Sequence, residues 1–123
     1  MKADAATGLD LNALLERIHG NRPALRQLVN VMLTHLPGRI DGVERAARSG
    51  DIDALADAAH ALKGSLSNFT TGPSWRGAGA IERSARTGDL DAAIAPVAQL
   101  RSDVDAVIEA LRSWQNEQEQ AGA

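Results

Sequence analysis

The chain has no cysteine and no tyrosine, one phenylalanine and two tryptophans. Without thiols there is no disulfide scaffold, no thiolate metal site and no cysteine nucleophile. Aromatics are only 2% of the residues, and Val and Ile are thin beside Ala and Leu. That composition argues against an all-β domain and for helices packed closely through small side chains. Positive charge is also scarce: 13 Lys and Arg face 16 Asp and Glu, for a formal charge of −3. A mildly acidic chain with few aromatics is not expected to bind nucleic acid. No apolar run approaches ~18 residues, so no membrane insertion is expected. The first nine residues, MKADAATGL, lack the apolar centre of a signal peptide. The expected compartment is the cytoplasm. A chain of 123 residues is long enough for one unstapled hydrophobic core and short for two.

What the chain does contain is a succession of helix patterns with no strand between them. The first spans Asp10–His19, with Leu11, Leu14, Leu15 and Ile18 at helical spacing and Gly20 as its stop. The second begins near Arg22. Its stripe of Leu25, Leu28, Val29, Met32, Leu36, Val43 and Ala47 keeps phase across Pro37 and Gly38, which predicts one long helix to about Ser49, kinked at the proline, with two helices in line as the alternative. The third runs from Asp51 or Asp53 to Phe69 on Leu55, Ala59, Leu62, Leu66 and Phe69. A fourth is expected from about Pro73 to Thr87, weakened by Gly77 and Gly79, each costing ~1 kcal/mol against alanine. A fifth is expected from about Asp91 to Gln118, with Pro96 kinking it or trimming its first turn.

A short repeat punctuates this order: Ala47-Arg48-Ser49-Gly50-Asp51 matches Ala85-Arg86-Thr87-Gly88-Asp89. Glycine suits a left-handed helix terminus and the following aspartate suits an N-cap, so each copy predicts a tight joint between antiparallel helices. The expectation is an all-α, up-down four-helix bundle with a short additional N-terminal helix. It occupies residues 9–116, between a flexible N-terminus (1–8) and a flexible tail (117–123).

Three histidines are present, His19, His35 and His60, no two of them three or four positions apart, so no metal site is expected. His19 reads as a cationic helper in a last helical turn, and His35 as a surface residue near Pro37. His60 differs. With Leu55 at 0° on a wheel of about 100° per residue, it projects near ~140°, with Ser67 near ~120°, Lys63 near ~80° and Gly64 near ~180°. A glycine one turn beyond an exposed imidazole clears space for an incoming surface, and Lys63 can reach that space as a point charge for an anion. Imidazole is a fair nucleophile when neutral, as much of it is near pH 7. Phosphoryl transfer asks for an in-line nucleophile and charge stabilisation. The chain has no phosphate-cradling glycine loop and no close carboxylate cluster for magnesium. A phosphoryl donor and its metal therefore have to arrive on another protein. By spacing alone, an incidental surface histidine remains the competing reading.

Residues 59–65, Ala-His-Ala-Leu-Lys-Gly-Ser, resemble the A-H-x-L-K-G-S signature of the histidine-containing phosphotransfer (HPt) family. The likeness extends over about residues 9–114, through the long helix before the motif, the joint at 47–51 and the segment Ile81-Glu82…Ala85-Arg86-x-Gly-Asp-Leu. Thr70-Thr71 stand where the family often has a Gly-Ala pair. Ser74 and Gly77, with Trp75 beside them, stand where leucines are usual.

The resemblance implies that His60 is phosphorylated and that Lys63 and Gly64 assist it. The implied partners are receiver domains of response regulators or of a hybrid histidine kinase, which supply the phospho-aspartate and Mg2+. The chain itself would then be a carrier with no cofactor of its own and no need to dimerise, so a monomer is expected. The docking face is expected around His60, including Ala56, Gly64 and Ser67. Glu82 and Arg86 lie one turn apart on the fourth helix. They read first as a solvated ion pair, with a place facing His60, where Arg86 would help hold the phosphoryl group, as the alternative. The rival function is a helical interaction module that docks receiver or kinase domains without chemistry.

Overall fold

The computed structural model describes residues 6–121. Six helices follow one another: α1 (Leu11–Arg17), α2 (Arg22–Ser49), α3 (Ile52–Leu66), α4 (Pro73–Arg86), α5 (Leu90–Ile94) and α6 (Val97–Ala121). The described residues contain no strand, and no helix among them is long and apolar enough to cross a membrane. Helices α2, α3, α4 and α6 form the four-helix bundle: α3 packs on α2 and α4, and α6 closes the ring against both. α1 leans on α2 and contributes no fully buried residue of its own.

The two Gly-Asp joints read from the sequence are built as expected, and the same capping recurs at Asp10 and Asn21. Asp10, Asn21, Asp51 and Asp89 each accept the backbone N–H three residues on, at 3.0–3.1 Å. Each such cap is worth about 1 kcal/mol. Gly50 and Gly88 take φ of +70° and +84°, the left-handed region where a side chain is strained. The long second helix is continuous through Pro37. Its buried residues, Leu25, Val29, Met32, Leu36, Ile40, Val43 and Ala46, keep a three- or four-residue step across the proline. Leu28, expected in that stripe, is instead 41% exposed. The histidine expected in the last turn of the first helix lies beyond it: α1 ends at Arg17, and His19 has φ +59°.

Three boundaries differ from expectation. α3 stops at Leu66, and Phe69 is buried in the turn that follows, where Thr70 N–H returns to the Leu66 carbonyl at 2.9 Å. Pro96 separates the five-residue α5 from α6, because a proline has no N–H to continue the ladder. The tail expected to be flexible from residue 117 is helical through Ala121, with Gln118 accepting from Arg22 Nη1 at 3.0 Å and Gln115 donating to the Arg26 carbonyl at 3.3 Å and to Asn30 Oδ1.

At the other terminus, residues 1–5 lie outside the described residues. Thr7 is buried, and its carbonyl accepts from Thr70 Oγ at 2.6 Å, while Gly72 N–H donates to the same hydroxyl. A Cβ on Gly72 would stand 2.7 Å from the Thr7 carbonyl oxygen, so this crossing needs glycine. Thr7 and Gly8, within the N-terminus expected to be flexible, make these contacts with the α3–α4 turn. The Thr70 hydroxyl binds both segments, a role a Gly-Ala pair at 70–71 cannot fill.

The two glycines in α4 do not break it. A Cβ at Gly77 would touch Leu100 Cδ1 of α6 at 3.4 Å, and one at Gly79 would meet Arg83 Nη1 at 3.3 Å and the Lys63 stem at 3.6 Å. Their propensity cost is set against close packing of α4 on α6 and α3.

Candidate functional site

α3 carries His60 near its middle. Because α2 and α4 both pack on it, its buried arc includes Ala56 as well as Leu55, Ala59, Leu62 and Leu66. Ala56, expected on the docking face with Gly64 and Ser67, is 2% exposed and belongs to the core, so it is not part of a docking surface. His60 sits on the part of the circumference that neither neighbour covers, and its side chain is 69% exposed.

The imidazole is held on one side only. Nδ1 lies 2.9 Å from Oε2 of Glu82 on α4, whose side chain is only 16% exposed. An ionised carboxylate can only accept, so Nδ1 carries the hydrogen and the lone pair of the neutral ring sits on Nε2. No hydrogen-bond partner of Nε2 exists among the described residues. The arrangement orients the ring and leaves its second nitrogen uncommitted on a largely exposed side chain.

Glu82 and Arg86 are thus more than a solvated pair. Arg86 Nη2 is 3.7 Å from Glu82 Oε2 and 3.3 Å from Oδ1 of Asp57, three residues before His60 on α3. The shorter contacts of both residues run across to α3 and bring them to the His60 face. Asp57 was not anticipated; its i−3 position from His60 was the only signal, and its partner lies on another helix.

Lys63 is half-buried and points along α4, with its Nζ 5.0 Å from the centre of the Trp75 ring. Gly64 is exposed, and a Cβ there would meet nothing within 4 Å beyond its own helix backbone. Nothing among the described residues requires glycine at that position. Ser67 is exposed, but its hydroxyl donates to the Gly64 carbonyl at 2.8 Å, closing the helix end. Among the described residues no group of three or more His, Asp or Glu is placed to hold a metal ion.

Comparison with known proteins agrees with this arrangement at the level of fold and family. The crystal structure of histidine-containing phosphotransfer protein B (HptB) from Pseudomonas aeruginosa PAO1 superposes with a TM-score of 0.79 at 24% identity, covering 89% of this chain and 96% of that one. The HPT domain of a sensor hybrid histidine kinase from Shewanella superposes at 0.56 and 18% identity, covering 96% and 95%. At these identities the likeness concerns the fold. No curated protein matches the chain. The sequence profile of the Hpt domain matches residues 27–113, most of the chain and all of α3 and α4, and the chain therefore belongs to the Hpt domain family.

Proposed function

We propose that the protein is a phosphorelay carrier whose His60 accepts a phosphoryl group from a receiver-domain aspartate and passes it to another receiver. The observation that carries this reading is the one-sided imidazole: Glu82 fixes Nδ1 at 2.9 Å while Nε2 stands open on a ring that is 69% exposed. In the forward step Nε2 attacks the phosphorus in line, the bond to the aspartate oxygen breaks, and the carboxylate leaves with that electron pair. Glu82 balances the positive charge the ring acquires, and the Nδ1 hydrogen stays in place. Lys63, one turn along α3, and Arg86, beside Glu82, supply positive charge for the phosphoryl oxygens. Mg2+ belongs to the receiver's side of the reaction. Most of the rate then comes from positioning within the docked pair, and the protein works as a carrier without an ATP site of its own.

Docking needs a surface that admits a second protein close to Nε2. Gly64 and Ser67 continue that surface from His60 toward the exposed Leu28 (41%) on α2. A shallow groove lined by Leu14, Arg17, Leu28, Ser67, Asn68 and Phe69 joins the two. An exposed large apolar side chain beside a small-residue platform fits a partner helix face.

Incubation with a receiver domain carrying radiolabelled aspartyl phosphate tests the proposal. The expected result is a base-stable, acid-labile label on the wild type and none on His60→Gln. Label that persists on His60→Gln would overturn it.

A further inference from the structure

Lys63 is an unpaired cation beside a nucleophile. Among the described residues no carboxylate lies within ion-pair distance of it; the carboxylates of the His60 cluster, Glu82 and Asp57, are engaged by His60 and Arg86. Its ammonium rests instead on the indole of Trp75, 5.0 Å from the ring centre. The stem reaches that ring across Gly79, where a Cβ would stand 3.6 Å from both Cδ and Cε. Gly79 is buried, Trp75 and Lys63 half-buried, so the lysine lies along α4 rather than trailing in water. An aromatic face holds a cation without neutralising it. A carboxylate in the same place would cancel the charge and compete with an incoming phosphoryl group, whereas the ring gives the cation up readily to a doubly charged anion.

We propose that Trp75, over the bed opened by Gly79, is a positioning residue that parks the Lys63 ammonium, and that loading of His60 draws that ammonium off the ring onto the phosphoryl group. The inference rests on His60 being the acceptor. It adds the state of the lysine before transfer and the residue that sets it.

The chain has only two lysines, Lys2 and Lys63. Full-length protein labelled with 13C-lysine therefore shows two ε-methylene signals, with Lys2 as internal reference. Before phosphorylation the Lys63 ε-protons are expected upfield of Lys2, shifted by the indole ring current; Trp75→Leu removes the shift and Trp75→Phe retains part of it. Phosphoramidate then serves as donor. Its P–N bond breaks as His60 Nε2 bonds to phosphorus, ammonia leaves with the electron pair, and the Nδ1 hydrogen stays against Glu82. On loading, followed by the phosphorus resonance, the Lys63 signal moves downfield toward Lys2.

A second readout is the extent of loading at equilibrium. Removing a competing cation–π site raises it about two- to fivefold in Trp75→Leu, and the same substitution in a Lys63→Ala background has no effect. A purely structural tryptophan would act alike in both backgrounds, and that result overturns the proposal. So does a Lys63 signal that coincides with Lys2 before loading, or one that stays upfield on a loaded protein. Absence of any phosphohistidine resonance instead overturns the acceptor role of His60 and the draw-off step with it. The parked lysine would still be read from the unloaded spectrum.

Discussion

Arg86 and Arg101 each tie two helices together through carboxylates, yet the two clusters end differently. Arg101 Nη1 donates to Asp41 at 2.7 Å and Glu44 at 2.9 Å on α2, and its Nε reaches Asp105 on its own helix at 3.3 Å. The hydrogen bond to Asp41 leads in raising this guanidinium above its ordinary value, burial works against it, and Asp105 and Glu44 add to the rise. That cluster is closed: its cation is met by three anions. The Arg86 cluster is open. Asp57 and Glu82 share the guanidinium, Glu82 also holds an imidazole, and that ring keeps one nitrogen free. Both are partly exposed ion networks built from the same residue types. One fastens α6 to α2, and the other leaves an atom uncommitted on a largely exposed ring.

The largest effect is expected from breaking the open cluster. Glu82→Ala removes the hydrogen bond that orients His60, and loss of a bond to a charged group corresponds to about ten- to a hundredfold in transfer rate. Rapid-quench transfer from a phosphorylated receiver measures it, with circular dichroism checking that the bundle persists. A rate within twofold of wild type would show that the ring orients without Glu82.

Gly64→Ala sharpens the comparison by separating stability from transfer. A helical alanine is favoured over glycine by ~1 kcal/mol, and a Cβ there has open space, so the midpoint of urea unfolding should rise. Transfer from the receiver should slow, because the added methyl enters the docking surface. Phosphorylation by phosphoramidate, which needs no docked partner, should change little.

The smallest effect belongs to the closed cluster. Arg101→Met should leave transfer unchanged. It should lower stability by at most about 1 kcal/mol, since a guanidinium 37% exposed is screened by water. A loss of transfer in this variant would mean that the two clusters are coupled through α2.

How far the fold and site could be read without coordinates depended on how local each signal was. Gly50-Asp51 and Gly88-Asp89 were legible as joints because a left-handed glycine and a capping aspartate act within four residues. His60 was placed outward because helix periodicity alone sets its angle from Leu55. Ala56, expected on the docking face beside His60, is buried instead, because α3 has two neighbours and spacing along one helix does not reveal the second. Residues 117–121 looked like a solvated tail because their composition is polar. The helix continues there alongside α2, where Arg22 reaches Gln118.

The amino-acid order alone settled an all-helical chain, its joints and an imidazole facing outward, since caps, glycine dihedrals and the 3.6-residue period need only near neighbours in the chain. Which groups meet that imidazole was decided by packing. Glu82 stands 22 positions away and Arg86 reaches back to Asp57 across 29, and only the docking of α4 on α3 brings such pairs within hydrogen-bond distance. Helical periodicity fixes the direction of a side chain on its own axis; the partner on a second axis depends on how the two helices cross.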